Sequence, residues 1–136
     1  MAFLDEVADL IGSSTAGSTS WPVFRGHLPD STVIDDRAIG LVHTGGGAQP
    51  GVTLQTDRLT VLVRGRPMNQ TSSAYEEAEA HAVSLKTAVR GYAGLSSDTN
   101  DVYYAGVWCE AAPYFDGLDE SYRPVFRMEF RCMRAR

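Results

Sequence analysis

The stretch Leu59–Tyr92, LTVLVRGRPMNQTSSAYEEAEAHAVSLKTAVRGY, decides the fold. It opens by alternation: Leu59, Val61 and Val63 fall on one face, Thr60, Leu62 and Arg64 on the other, the period of a strand with one buried side. From Tyr75 the period changes. Tyr75, Ala78, Ala82, Leu85, Val89 and Tyr92 recur at intervals of three and four, a helical stripe of about five turns. Ser73 followed by Glu76 has the form of a capping box, and Gly91 and Gly94 close the far end. Glu76, Glu77 and Glu79 stand early and Lys86 and Arg90 late, as the helix dipole prefers, and keep the outer face solvated.

Outward from this passage the chain alternates structure and punctuation. Phe3, Val7 and Leu10, with Leu4 and Ile11, predict an opening amphipathic helix, ended by Gly12 and the loop Ser13–Ser20. Strands are expected over Trp21–Leu28, Arg37–Thr44 and Val52–Arg66 before the long helix, and over Asp101–Ala112 and Arg123–Met133 after it. In the last, Phe126, Met128, Phe130 and Cys132 alternate with Val125, Arg127, Glu129 and Arg131. The glycine-rich run 45–51 reads as a flexible hairpin loop, since glycine weakens helix and strand interiors. Pro113–Tyr122, with Asp116, Asp119 and Glu120, reads as a polar loop. The expectation is a single α+β domain over residues 1–136. It has a mostly antiparallel mixed β-sheet of about five strands with two helices packed on one face, in the order α-β-β-β-α-β-β.

Composition narrows the function classes. With 136 residues, 43% hydrophobic and 21% charged, the profile is globular. The longest apolar run, Val102–Trp108, is far below the ~20 residues of a membrane helix, and the acidic start has no basic flank of a secretory signal. A soluble protein made inside a cell, with no membrane partner, is expected. Twelve basic residues, all arginine except Lys86, face seventeen acids for a net charge of −5. No basic stripe marks a phosphate-gripping surface, so sequence-specific DNA binding is not expected.

No catalytic, cofactor or metal site is read from the residues. There is no GxSxG, HExxH or zinc-ligand array, and the glycines at 45–47 lack the GK[ST] of a phosphate loop. His27, His43 and His81 are far apart, and His81, beside the helical stripe, reads as a satisfied structural histidine. Asp35-Asp36 and Asp116, Asp119 and Glu120 lack calcium-loop spacing and read as solvated turns. Cys109 and Cys132 read as small buried hydrophobes of a reducing compartment, with a cross-strand disulfide as the alternative. Thr60, Leu62, Arg64, Tyr104, Trp108, Arg127, Glu129 and Arg131 share one sheet face. Mixed in this way, they make either an ordinary wet face or a subunit interface rich in aromatic and arginine anchors.

Four passages in order resemble the tail terminator or minor capsid (head-tail joining) proteins of long-tailed bacteriophages. They are the opening helix; Phe24-Arg25-Gly26-His27-Leu28-Pro29-Asp30; Val61–Ala78, with Val63-Arg64-Gly65 and Tyr75-Glu76-Glu77-Ala78; and Tyr114–Arg123. The family's last motif reads glycine, any residue, Asp-Glu, any residue, glycine, arginine. Here it is Gly117-Leu118-Asp119-Glu120-Ser121-Tyr122-Arg123, with Tyr122 where the second glycine is expected, a position suited to positive φ.

The resemblance implies a structural virion protein rather than an enzyme. It would form a ring, commonly a hexamer, that caps the head-proximal end of the tail tube, stops its growth and presents a surface for head-tail joining. The implied partners are further copies of itself, the tail tube protein and a head connector or stopper protein. DNA only passes through the lumen, and no cofactor is involved. The implied location is the neck of the virion, assembled in the host cytoplasm. The expected interface residues are Arg64, Trp108, Asp119, Glu120 and Arg123, and reversing Arg123 is expected to weaken assembly while sparing the fold. The alternatives are another neck component, such as a head-completion or stopper protein, or a small-molecule-binding or enzymatic domain with a pocket near His27, His43 or Asp116.

Overall fold

Alternating apolar residues on three neighbouring strands create one dry sheet face, and the stripe of the long helix covers it. The computed structural model describes residues 7–8, 21–26, 28–29, 37–48, 54–90, 96–97 and 102–135. Its elements are β1 (Val23–Arg25), β2 (Ala38–Ala48), β3 (Leu54–Arg64), α1 (Ala74–Arg90), β4 (Ser96–Ser97), β5 (Val102–Leu118) and β6 (Pro124–Ala135). They build a six-stranded mixed sheet in the order β1-β2-β3-β6-β5-β4. Only β1 and β2 pair in parallel; every other ladder is antiparallel. The expected α+β class holds, with one described helix on the sheet. The opening helix lies outside the described residues except Val7 and Ala8, which are helical, with Val7 buried in the core.

The dry face contains Ile39 and Leu41 of β2, Leu59, Val61 and Val63 of β3, and Phe126, Met128, Phe130 and Cys132 of β6. Ala78, Ala82, Leu85 and Val89 of α1 close over it, each with no exposed surface. Burying a Val, Leu or Ile side chain stabilises by roughly 1.5–3 kcal/mol, so this layer holds the domain together. Alanines at 74, 78 and 82 suit a helix seated close to the strands. Gly65, which turns the chain from β3 towards α1, has the same origin. A Cβ there would lie 3.0 Å from the Ala74 carbonyl oxygen and 3.1 Å from both Ala78 Cβ and Pro124 Cγ.

Three expectations are corrected. Gly45–Ala48 is not a loop: β2 continues through it, pairing Gly45 with Arg58 and Ala48 with Gln55 after a bulge that follows His43. The long antiparallel partner supplies the backbone hydrogen bonds that glycine's poor strand preference opposes, and the glycine signal marks the bulge instead. Pro113–Leu118 is also strand. β5 runs through it with register shifts either side of Ala111 and after Phe115, and Pro113 is tolerated because β4 pairs only with Val102 and Tyr103, leaving β5 an edge strand beyond them. Glu77 is not on a solvated face. It accepts from Arg66 Nε at 3.0 Å and Arg66 Nη2 at 2.6 Å, and its Oε1 is 3.8 Å from Arg37 Nη1.

His81 also differs from expectation. Its ring stacks on Trp21 at 4.3 Å and 7°, with the Arg37 guanidinium 5.7 Å from the Trp21 ring. Its buried Nε2 has no hydrogen-bond partner among the described residues. Burial, and then the charge of Arg37, push its pKa down from 6.5 to about 4. The folded state therefore favours neutral imidazole. Its contribution is intact above pH 6.5 and is lost as pH falls towards 4. Allowing for solvent screening of a half-buried ring, the loss should be about 1–2 kcal/mol. Urea titrations across this window should show it, and His81→Phe, which keeps the stack, should flatten it.

Candidate functional site

The turn joining β5 to β6 is built by one carboxylate. Asp119 Oδ1 accepts from the backbone N–H of Ser121 at 2.9 Å and of Arg123 at 3.0 Å, and Oδ2 accepts from Arg123 Nε at 2.6 Å. The Tyr122 N–H donates to the Asp119 carbonyl and the Asp119 N–H to the Arg123 carbonyl, both at 3.1 Å. Burial raises the Asp119 carboxyl's pKa, but the backbone N–H and guanidinium of Arg123, with the Ser121 N–H, outweigh burial and hold it below the ordinary carboxylate value. Gly117 has φ 109° and Tyr122 φ 59°. The two left-handed positions in this turn are thus the two glycine positions of the phage motif. Tyr122 is 57% exposed, so packing of its ring within the chain does not compensate the left-handed backbone. Its carbonyl accepts from the Met68 N–H at 2.8 Å, tying the turn to the segment before α1.

Register brings the remaining residues here. Arg64, at the end of β3, pairs with Val125 of β6, and its Nη1 donates to the Pro29 carbonyl. Arg64, Asp119, Glu120 and Arg123 line one open cleft of about 640 Å³, with Leu28, Ser121 and Val125. Four of the five expected interface residues therefore converge. Trp108 does not join them. It lies ten residues before Leu118 on β5, opposite Arg131, whose guanidinium is 5.1 Å from the indole ring.

Burial corrects the picture of a uniformly wet face. Thr60, Arg64 and Arg123 are buried, while Trp108 and Arg131 are exposed. Arg64 and Arg123 hold the cleft together from inside, and Glu120 and Ser121 are its exposed groups. His27, Asp35 and Asp36 lie outside the described residues, as does the side chain of Tyr104.

A second polar cluster escaped the sequence reading. Asp57, fully buried, accepts from Arg134 Nε at 2.7 Å and lies 2.8 Å from His43 Nε2. Parity was the available signal, since Asp57 is in step with Leu59, Val61 and Val63, and Arg134 with Phe126 through Cys132. A buried carboxylate beside an imidazole can orient a general base. The neighbouring thiol shows no matching activation: burial, then Asp57, push Cys132 up to about 12, with Arg134 opposing. Cys132 is buried, Cys109 is half-buried, and both are free.

No family model matches the chain, and no curated protein matches it.

Two substitutions separate backbone strain from anchoring in the turn. Tyr122→Gly should relieve a left-handed non-glycine residue and raise stability by up to about 1 kcal/mol, measured by urea unfolding. Arg123→Glu should lower it by about 3 kcal/mol, because it leaves the Asp119 carboxylate facing a like charge in a part-buried turn. This replaces the expectation that the reversal spares the fold.

Proposed function

We propose that the chain is a structural component of a bacteriophage neck: a tail terminator that assembles as a ring, commonly a hexamer in such proteins, on the head-proximal end of the tail tube. The observation that carries this reading is the β5–β6 turn. The motif that suggested the family calls for glycine at 117 and 122, and those positions have positive φ, with Asp119 and Arg123 locked together between and beside them. The backbone the motif demands is present although Tyr122 replaces its second glycine.

The surface chemistry supports the same reading. Of the described large hydrophobic side chains that are exposed, Trp108, Tyr114, Phe115, Leu118 and Tyr122 lie on β5 or its turn, and Met68 is bonded to that turn. Exposed aromatic and aliphatic groups along one strand, Phe115 on the helix side and Trp108 and Tyr114 on the other face, have the composition of protein interfaces. A ring needs two different surfaces of one subunit to meet. Six copies, each of charge −5, would give a ring of about −30, and such a lumen repels rather than retains passing phosphates.

Particles assembled without this protein should carry tails of uncontrolled length, seen in negative-stain micrographs. Tails of normal length on heads that leak DNA would instead indicate a stopper or head-completion protein, and normal particles would remove the neck reading.

A further inference from the structure

The turn end and the middle of β5 carry opposite chemistry. At the turn end, Leu118 and Tyr122 are 48% and 57% exposed. They project beside Asp116 and Glu120, both exposed carboxylates, and the nearby Arg123 is buried against Asp119. Asp116 is only loosely held, 3.6 Å from Arg127. This end is an apolar tip with an acidic rim.

Near the middle of the strand a groove of about 320 Å³ opens between the last turns of α1 and β5, lined by Lys86, Arg90, Val107, Trp108, Cys109 and Ala112. Its two charged groups are both cations, at the helix end where the dipole favours them. Its floor is apolar, built by Val107, Cys109 and Ala112, while the Trp108 indole, registered with Arg131, lies on the opposite sheet face. The volume is enough to seat an aromatic side chain. The groove therefore offers what the tip lacks: positive charge around an apolar slot.

The left-handed Tyr122 adds a separate observation. Glycine would hold this turn at lower cost, and the tyrosine ring is exposed, so its benefit lies outside the subunit. The free edge of β5 does not offer an alternative route by strand pairing, because repeated register shifts and Pro113 blunt it.

We propose that a second copy of this chain inserts its Leu118–Tyr122 tip into the Lys86–Arg90–Cys109 groove, a head-to-tail contact in which acidic rim meets basic rim. The proposal rests on the ring reading and names the surfaces that would close it. Because tip and groove are different surfaces, a bound pair leaves one tip and one groove unfilled, and the contact propagates.

The test uses two crippled forms of the full chain. One carries Leu118→Lys with Tyr122→Gly, the other Lys86→Glu with Arg90→Glu; all four residues lie outside the core, so circular dichroism should be native for both. Sedimentation velocity should show the wild type associating, more weakly at high salt. Each variant alone should associate on the order of thirtyfold more weakly, as for loss of a hot spot. Mixed, they should form one-to-one heterodimers and nothing larger, since one intact tip and one intact groove remain. Wild-type assembly that either variant matches would overturn the docking while leaving a ring built on other contacts. A wild type monomeric at every concentration would also overturn it, and tail length would still decide the ring reading independently.

Discussion

β6 is hydrogen-bonded on both sides, to β3 and to β5, so a single alternation has to satisfy two neighbours. Phe126, Met128 and Phe130 face the helix between Val63, Val61 and Leu59 on one flank and Phe115 and Cys109 on the other. A slip of one residue would turn every one of these side chains to the opposite face. The Asp57–Arg134 pair spans β3 and β6 on the same dry face, at the end remote from the β5–β6 turn. The slipped register would separate it and strand a buried charge, which costs more than the pair itself contributes. Apolar alternation and one buried ion pair thus specify the same register from opposite chemistries.

This constraint explains which elements were legible. Leu59–Arg64, Val125–Met133 and the helical stripe are strictly periodic because both their partners and their burial are regular. Gly45–Ala48 and Pro113–Leu118 were misread because their strand character comes from the neighbour rather than from their own residues. β2 is held by a long antiparallel β3, and β5 absorbs proline and extra residues through bulges on an edge. β4, two residues long, carries no period to read. The site was legible in part. Asp119 and Arg123 are four apart and meet within one turn, and the Arg64–Val125 register delivers Arg64 to them. The burial of both arginines depends on chain packed above the sheet, which alternation does not reveal. The left-handed backbone at Tyr122 was signalled only by the glycine the motif carries at that position, since tyrosine itself gives no sequence signal for positive φ.

The same geometry separates stability from surface chemistry. The buried arginines 64, 123 and 134 spend their donors inside the subunit, on the Pro29 carbonyl, Asp119 and Asp57. Arg66 and Arg127 are likewise engaged with Glu77 and Asp116. What is left for a partner at the turn end of β5 is mostly apolar or acidic, while half-buried Lys86 and exposed Arg90 flank its middle on the helix side, and Arg131, beside Trp108 on the other face, lies 3.6 Å from Glu110. Net charge alone, −5, conceals this polarity; its arrangement along one strand is what favours contact between unlike surfaces.

Spacing supplies the last constraint. Trp108 and Leu118 are ten residues apart on one strand, so groove and tip sit about 30 Å apart, somewhat less where bulges shorten the path. That distance is rigid, because β5 is laddered to β6 through both ends. In the proposed ring the direction from groove to tip would set the step from one subunit to the next, and the bulges, which increase strand twist, would set its angle. A straight β5 would present the two surfaces nearly in line and favour an open filament. In the proposed ring, repeated bulges on an edge strand would turn the tip out of line with the groove, and the irregularity of Pro113–Leu118 would then be part of the geometry rather than a defect in the sheet.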